Sequence, residues 1–207
     1  MVEFIDNLSQ VLVSIICCFL SGVFYYKSRN QIYFFLSCFY GCFSFGGFYW
    51  MMYTLMITDA PPMFYVSDIA WISGYLFINL MQHAIAEKDE RNYKTRAAIA
   101  GVVIQILMMI YFISIGDFLY NAVVGVILCI ILWHSICSIA YYRKHTGSKK
   151  IYFHIVTLAF VIIENCLWVT SYPWVSDTLS NPYFWIDFTL TISFFCFLQA
   201  VRRAVEL

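Results

Sequence analysis

The stretch AAIAGVVIQILMMIYFISI, residues 97–115, contains no charged side chain and is preceded by Lys94 and Arg96. An α-helix rises about 1.5 Å per residue, so about 20 apolar residues are enough to cross the hydrocarbon core of a bilayer. The two bases favour an aqueous boundary at the start of the stretch. Residues 97–115 therefore predict a transmembrane helix.

Six further apolar segments of similar length occur in the chain. With the first stretch they predict membrane-spanning helices at about residues 8–26, 32–57, 63–86, 97–115, 118–141, 151–172 and 182–201. The composition agrees, because 62% of the residues are hydrophobic and 12% are charged, whereas soluble domains carry about 25% charge. We expect an all-α fold, a polytopic seven-helix bundle that forms a single membrane domain over residues 1–207.

The charges are distributed unequally between the two sides of the predicted bundle. The lysines and arginines fall into four clusters, which follow the first, third, fifth and seventh segments: Lys27 and Arg29; Lys88, Arg91, Lys94 and Arg96; Arg143, Lys144, Lys149 and Lys150; Arg202 and Arg203. The opposite loops contain no base and hold Glu3, Asp6, Asp59, Asp117 and Asp177. The positive-inside rule then places the N-terminus outside and the C-terminus in the cytoplasm. Basic loops beside lipid need no nucleic-acid partner, and the expected partner is the lipid bilayer.

An internal repeat is visible when the chain is compared with itself. The pattern YYK, basic loop, IYF at residues 25–34 recurs as YYR, basic loop, IYF at residues 141–153. Downstream, Trp50 matches Trp168, and the second block pairs Pro62, Phe64, Tyr65, Val66 and Asp68 with Pro182, Phe184, Trp185, Ile186 and Asp187. These matches predict parallel three-helix repeats over residues 8–86 and 118–201, joined by a linker helix over residues 97–115. Alternatively, aromatic belts and positive loops arise independently at each membrane interface.

Three acids lie inside the predicted spans, where a charge is costly enough to mark a candidate functional residue. Asp68 and Asp187 lie near the starts of the third and seventh helices, where the helix dipole alone also favours a carboxylate. Glu164 lies deeper in the sixth helix and has no basic partner in any span. We expect Glu164 to be protonated or hydrogen-bonded to Asn165, a tyrosine or another acid.

Helical periodicity places polar residues in strips. Each strip falls on one face of its helix at about 100° per residue: Asp68, Tyr75, Asn79 and Gln82; Thr157, Glu164, Trp168 and Ser171; Asp187 and Thr191. The strips predict a cavity that opens outward, with a ligand-binding set of Asp68, Trp71, Tyr75, Asn79, Glu164, Trp168, Asp187 and Thr191. The repeat offset places Gly46, beside Gly47, opposite Glu164, and a glycine pair permits close approach of a helix or a ligand.

Several kinds of chemistry lack their sequence signatures. His83, His134 and His154 show no metal-ligand spacing, so we expect no metal and no cofactor. The chain contains no Gly-x-Ser-x-Gly elbow and no phosphate-binding glycine loop. We therefore do not expect an enzyme.

Three families share patterns with the chain. Asp68-x-x-Trp71-x-x-x-Tyr75, followed by a final helix that ends Ala200-Val-Arg-Arg, resembles the multi-helix membrane sensor domains associated with GGDEF outputs in bacteria. This resemblance implies a bacterial plasma-membrane sensor that acts through a separate output protein. The three-one-three layout also resembles the SWEET and PQ-loop transporters, which implies a solute path between the halves.

The third resemblance is to the integral-membrane terpenoid cyclases of fungi and actinobacteria. It runs from Gly147-Ser148 through Glu164 and Tyr172-Pro173 to Asp187. In that family one acid on helix two and one on helix seven act on the polyene; Asp187 matches the second, and Gly46 stands where the first is expected. The resemblance implies Glu164 and Asp187 as the catalytic acids of such an enzyme.

We expect an integral membrane module of sensor or receptor type that binds a small molecule or a lipid in an outward-facing polar and aromatic cavity. The alternatives are a small-solute transporter and a terpenoid cyclase. A homo-oligomer is a further possible partner arrangement.

Overall fold

The computed structural model describes residues 2–57, 66–145, 148–173 and 176–205. These residues form eight helices and no strand: α1 (Val2–Ser28), α2 (Gln31–Ile57), α3 (Val66–Ile85), α4 (Lys88–Arg91), α5 (Arg96–Ile115), α6 (Phe118–Lys144), α7 (Ile151–Ser171) and α8 (Pro182–Val205). The all-α prediction is confirmed. The seven long helices match the seven predicted segments, and α4 is an additional single turn in the basic connection after α3.

Local sequence signals set several helix ends. Between α1 and α2 the chain reverses within two residues, where Arg29 adopts a φ of 57° and Asn30 Oδ1 accepts a 3.0 Å hydrogen bond from the Ile32 amide. At the start of α6, Asp117 Oδ1 accepts a 2.7 Å hydrogen bond from the Tyr120 amide. These caps satisfy amides that have no partner within the helix.

The outer surface of the helices is apolar. Six helices (α1, α2, α5, α6, α7 and α8) are long and apolar enough to cross a membrane. Large side chains such as Phe19, Met56 and Ile104 are more than 60% exposed on the flank of the bundle, whereas acids such as Asp187 are buried. This distribution suits a hydrocarbon solvent rather than water. The protein is a multi-pass integral membrane protein whose helices contact the lipid bilayer.

The bundle has two chemically different ends. We call the end that holds the starts of α1, α6 and α8 the acidic end, because Glu3, Asp117 and Asp177 lie there. The opposite end is the basic end, where all four clusters of lysine and arginine lie. Asp59, Pro62, Phe64, Tyr65 and Gly147, which entered the charge, repeat and resemblance arguments, lie outside the described residues.

The helices pack largely in chain order. Successive long helices contact one another from α1 to α3 and from α5 to α8, and the bundle closes through contacts of α1 with α8 and of α3 with α6. The centre is an aromatic layer formed by Phe39, Phe43, Phe160, Phe194 and Phe197, whose rings lie 4.9–6.0 Å apart in their close pairs. Edge-to-face pairs predominate, and this is a favoured geometry for aromatic rings.

The observed start of α1 corrects the predicted location of Asp6. The first span was expected from about residue 8, which left Asp6 in an outer loop with Glu3. The helix begins at Val2, and Asp6 is 1% exposed within it. Asp6 therefore belongs to the interior of the bundle.

Candidate functional site

A cavity of about 420 Å³ lies inside the acidic end of the bundle. Helices α1, α2, α3, α6, α7 and α8 and the α7–α8 connection all contribute to its wall. The lining residues are Glu3, Asn7, Gln10, Phe43, Trp50, Asp68, Trp71, Tyr75, Tyr120, Glu164, Leu167, Trp168, Ser171, Ser176, Asp177, Asn181, Tyr183, Phe184, Asp187 and Leu190. A volume of this size suits a small organic molecule.

Three buried acids from distant parts of the chain converge on this cavity. Asp68 of α3, Glu164 of α7 and Asp187 of α8 all line it, and each is at most 6% exposed. Helical periodicity explains why they meet, because each acid lies on the face of its helix that points into the bundle. The structure thus brings together the three acids that the sequence singled out.

Glu164 lies beside a tyrosine from another helix. The side chain of Tyr75 on α3 neighbours the carboxyl group of Glu164 on α7, and both line the cavity. The neighbouring Asn165 does not face Glu164, since it exchanges hydrogen bonds of 2.9 and 3.2 Å with Gln105 of α5. Of the partners expected for Glu164, the structure therefore places a tyrosine beside it, whereas Asn165 bonds to Gln105.

A second acid accompanies Asp187. Asp6 of α1 and Asp187 of α8 are neighbours across the helix interface, and Gln10 Nε2 donates a 2.8 Å hydrogen bond to Asp187 Oδ1. Asp6, Asp187 and Gln10 therefore form a polar bridge between α1 and α8 at the wall of the cavity.

Aromatic rings form the remainder of the wall. On one side, the rings of Trp50 and Trp71 lie 5.9 Å apart, and on the other side those of Tyr120 and Trp168 lie 5.3 Å apart. Phe43, which belongs to the aromatic layer, forms the floor. The cavity therefore combines carboxyl groups with wide π surfaces.

Gly46 permits the position of one of these rings. A Cβ at Gly46 would lie 2.7 Å from Trp71 Nε1 and 3.2 Å from the Ser67 carbonyl oxygen. A side chain at residue 46 would therefore push Trp71 into the cavity or separate α2 from α3. The neighbouring Gly47 performs the same role toward α1, since its Cβ would lie 3.0 Å from Val11 Cγ2. Close helix approach explains this glycine pair.

Two residues of the predicted ligand-binding set do not line the cavity. Asn79 lies one helical turn beyond Tyr75, deeper in the bundle. Thr191 is buried, and its neighbour Leu190 lines the cavity instead. Both were placed in the site because helical spacing identifies a face without fixing where along that face a cavity ends. Asp68, Trp71, Tyr75, Glu164, Trp168 and Asp187 do line it.

Sequence reasoning missed the contribution of α1 and of the α7–α8 connection. Glu3, Asn7 and Gln10 lie on one face of α1 and line the cavity, and the Glu3 amide donates a 2.8 Å hydrogen bond to Asp177 Oδ1 in the connection. The spacing of residues 3, 7 and 10 was a usable signal for a polar face. It was not used because the first span was expected to begin at about residue 8, after Glu3 and Asn7.

A small second pocket lies at the basic end. Its volume is about 20 Å³, which is the size of a water site. His83 and His134 have ring centroids 4.8 Å apart, and His154 Nε2 lies 3.2 Å from Glu90 Oε1. In the part of the chain that the structure describes, no three histidine, cysteine or acidic residues are grouped so that they could hold a metal ion.

Glu90 anchors α4 in this pocket. The Tyr142 hydroxyl donates a 2.6 Å hydrogen bond to Glu90 Oε2, and the same oxygen accepts a 2.9 Å hydrogen bond from the Glu87 amide. Burial would raise the pKa of the Glu90 carboxyl, but the neighbouring side chains of His154, Ser138 and Tyr142 outweigh burial and bring this pKa to about 2. Glu90 is therefore a buried carboxylate with a structural role.

Comparison with known proteins adds no relationship. No family model matches the chain, and neither a curated protein nor a solved structure matches it.

Proposed function

We propose that the protein is a receptor-like membrane module that binds a small molecule or a lipid in the cavity at the acidic end. The observation that carries the proposal is the convergence of three buried carboxyl groups and three tryptophans on one cavity of about 420 Å³. Acids inside a membrane bundle are costly, and they are commonly retained where they contact a ligand or an ion. The aromatic rings supply apolar contact area, and the acids orient a polar group of the ligand.

The proposal includes seven spans, with the cavity open to the outside. Helix α3 is as long as α5 and packs between α2 and α6. It is less apolar because it carries Asp68, Ser67 and Gln82, and all three are buried within the bundle. A helix whose polar residues face its neighbours suits a membrane span. The basic end then faces the cytoplasm by the positive-inside rule.

The proposed architecture is a pair of three-helix repeats, α1–α3 and α6–α8, with α5 as linker. A two-fold axis that exchanges the repeats would turn the α1–α8 contact into an α6–α3 contact, and both contacts occur. The same axis would exchange Asp68 with Asp187 and Trp50 with Trp168, and all four residues line the cavity. These two correspondences support the repeat. They also account for a site between the halves.

The binding proposal can be tested by filling the cavity. Leu167 lines it, so Leu167→Trp should occupy space that a bound molecule needs. Leu107 on α5 is 61% exposed on the apolar flank, so Leu107→Trp is a matched control. Native mass spectrometry of protein extracted from its own membranes in mild detergent should show a bound small molecule or lipid in the wild type and in Leu107→Trp. Leu167→Trp should lose it. Equal occupancy in both variants, or no bound molecule in the wild type, would contradict the proposal.

A transporter is the second candidate, favoured by two observations. The cavity at the acidic end and the small pocket at the basic end lie on opposite sides of the aromatic layer, and Asn79 Oδ1 is buried with no hydrogen-bond partner among the described residues. A transporter would open this layer to pass a solute. Proteoliposomes that accumulate a solute which also binds in the cavity would support transport, whereas saturable binding without flux would support a receptor.

A further inference from the structure

The charge of the cavity wall is entirely of one sign among the described residues. The lining includes Glu3, Asp68, Glu164, Asp177 and Asp187, and it includes no lysine, arginine or histidine. An anionic ligand beside Glu164 and Asp187 would therefore meet carboxyl groups and no lysine, arginine or histidine side chain of the described residues. A cationic ligand would meet groups whose negative charge it could balance.

A second acid lies behind Asp187. Asp6 is 1% exposed within α1 and neighbours Asp187, and it is not among the residues that line the cavity. A ligand in the cavity therefore contacts Asp187 and not Asp6. A cation beside Asp187 would still interact favourably with both acids.

The aromatic wall suits the same kind of ligand. Trp50, Trp71 and Trp168 line the cavity with Tyr75 and Tyr120. The faces of such rings carry a negative electrostatic potential, and they attract ammonium groups while they also contact apolar parts of a molecule. Acids and aromatic faces together are the features of sites that recognise organic cations.

We propose that the cavity binds an organic ammonium ion with an apolar or aromatic body, and that its cationic group lies between Glu164 and Asp187. The inference rests on the proposed function, because it names the chemical class of the ligand for the same site. The volume of about 420 Å³ accommodates a molecule of this kind. A neutral alcohol would use the rings and the hydrogen bonds without balancing charge. A carboxylic acid of the same shape would be repelled.

The test uses three probes that share one body and differ in charge: 2-phenylethylamine, 2-phenylethanol and phenylacetate. Purified full-length protein in lipid nanodiscs is titrated with each probe at neutral pH. The signal is intrinsic tryptophan fluorescence, and Trp168→Phe should reduce the response while Trp133→Phe, at the basic-end pocket, should not. We expect the amine to bind at least about tenfold more tightly than the alcohol, and phenylacetate not to bind.

Variants then assign the selectivity to the acids. Glu164→Gln and Asp187→Asn should each weaken amine binding about tenfold and leave the affinity for 2-phenylethanol within about twofold. Retained alcohol binding also shows that each variant is folded. Asp89→Asn removes an exposed acid at the basic end and should leave all three affinities unchanged. If both site variants fail to fold, the order of the three affinities measured on the wild type still decides whether the ligand is a cation.

The outcomes separate the two proposals. Preference for the amine that Glu164→Gln or Asp187→Asn abolishes supports the organic cation. Equal or tighter binding of the alcohol overturns the proposal of a cationic ligand, while the proposal that the cavity binds a small molecule survives. Binding of phenylacetate, or of none of the three probes, also overturns the proposal of a cationic ligand. In that case the comparison of Leu167→Trp with Leu107→Trp decides the binding function independently.

Discussion

Gln10 of α1 donates a 2.8 Å hydrogen bond to Asp187 of α8, two residues that lie 177 positions apart in the chain. This bond joins the first and last helices of the bundle at the wall of the cavity, beside the buried Asp6. Part of the α1–α8 contact is therefore polar and is shared with the candidate site. Changes in this bridge should alter both the stability of the protein and its ability to bind.

The Asp6–Asp187 bridge leads to a prediction about stability. Asp187→Leu leaves Asp6 and Gln10 buried without their partner, so it should lower the free energy of unfolding by about 2–4 kcal/mol. Asp6→Asn keeps a hydrogen-bonding group of the same shape and removes one acid, so it should change that free energy by less than about 1 kcal/mol. Denaturant unfolding in mild detergent measures both changes. Equal destabilisation by the two variants would argue against the bridge.

The glycine at the α2–α3 interface leads to a second prediction. Gly46→Ala places a Cβ 2.7 Å from Trp71 Nε1, so it should lower the free energy of unfolding by about 1–3 kcal/mol. Gly41→Ala on the same helix is the control, because its Cβ meets only Cys18 Sγ at an ordinary distance of 3.7 Å. In a protein that already carries Trp71→Ala, the Gly46→Ala substitution should lower the free energy of unfolding by less than it does in the wild type. Equal effects of the two alanine substitutions would contradict this account of Gly46.

Glu90 leads to a prediction about pH. Its pKa is about 2 in the folded protein, below the ordinary value of 4.5, so its contribution to stability is fully present above pH 4.5 and is lost as the pH falls toward 2. The size of the shift corresponds to about 3 kcal/mol. Glu90→Gln should be less stable than the wild type at pH 7, and the difference should shrink between pH 4.5 and pH 2.

The control for Glu90 is Asp89→Asn, which removes an exposed neighbour. Its difference from the wild type should stay small over the same pH range. A Glu90→Gln protein whose stability differs from that of the wild type by the same amount at pH 7 and at pH 2.5 would show that the carboxylate is not what anchors α4.

The position of α3 in the membrane can be tested by topology. If α3 is a span, Asn30 between α1 and α2 and Tyr93 between α4 and α5 lie on the same side, in the cytoplasm. Dual reporters fused after each residue should therefore give the same cytoplasmic signal. Opposite signals at Asn30 and Tyr93 would show that α3 does not cross the bilayer.

Much of the fold was predictable from the sequence because hydropathy alone defines long apolar helices in a membrane protein. The 3.6-residue period also placed Asp68, Glu164 and Asp187 on inward faces, and they do meet in one cavity. The same reasoning failed for Asp6, because the start of α1 depends on contacts with α8 that local sequence does not reveal. It also failed for the Glu90–His154 pair, whose members are far apart in the chain and come together only when α4 packs against the bundle.

The most direct test of the central claim is a density map of the protein in lipid nanodiscs, recorded with material extracted gently from its own membranes. The account predicts density for a bound molecule between Glu164 and Trp168, with the carboxyl groups of Asp68, Glu164 and Asp187 turned into the cavity. An empty cavity, or carboxyl groups turned toward the bilayer, would contradict it.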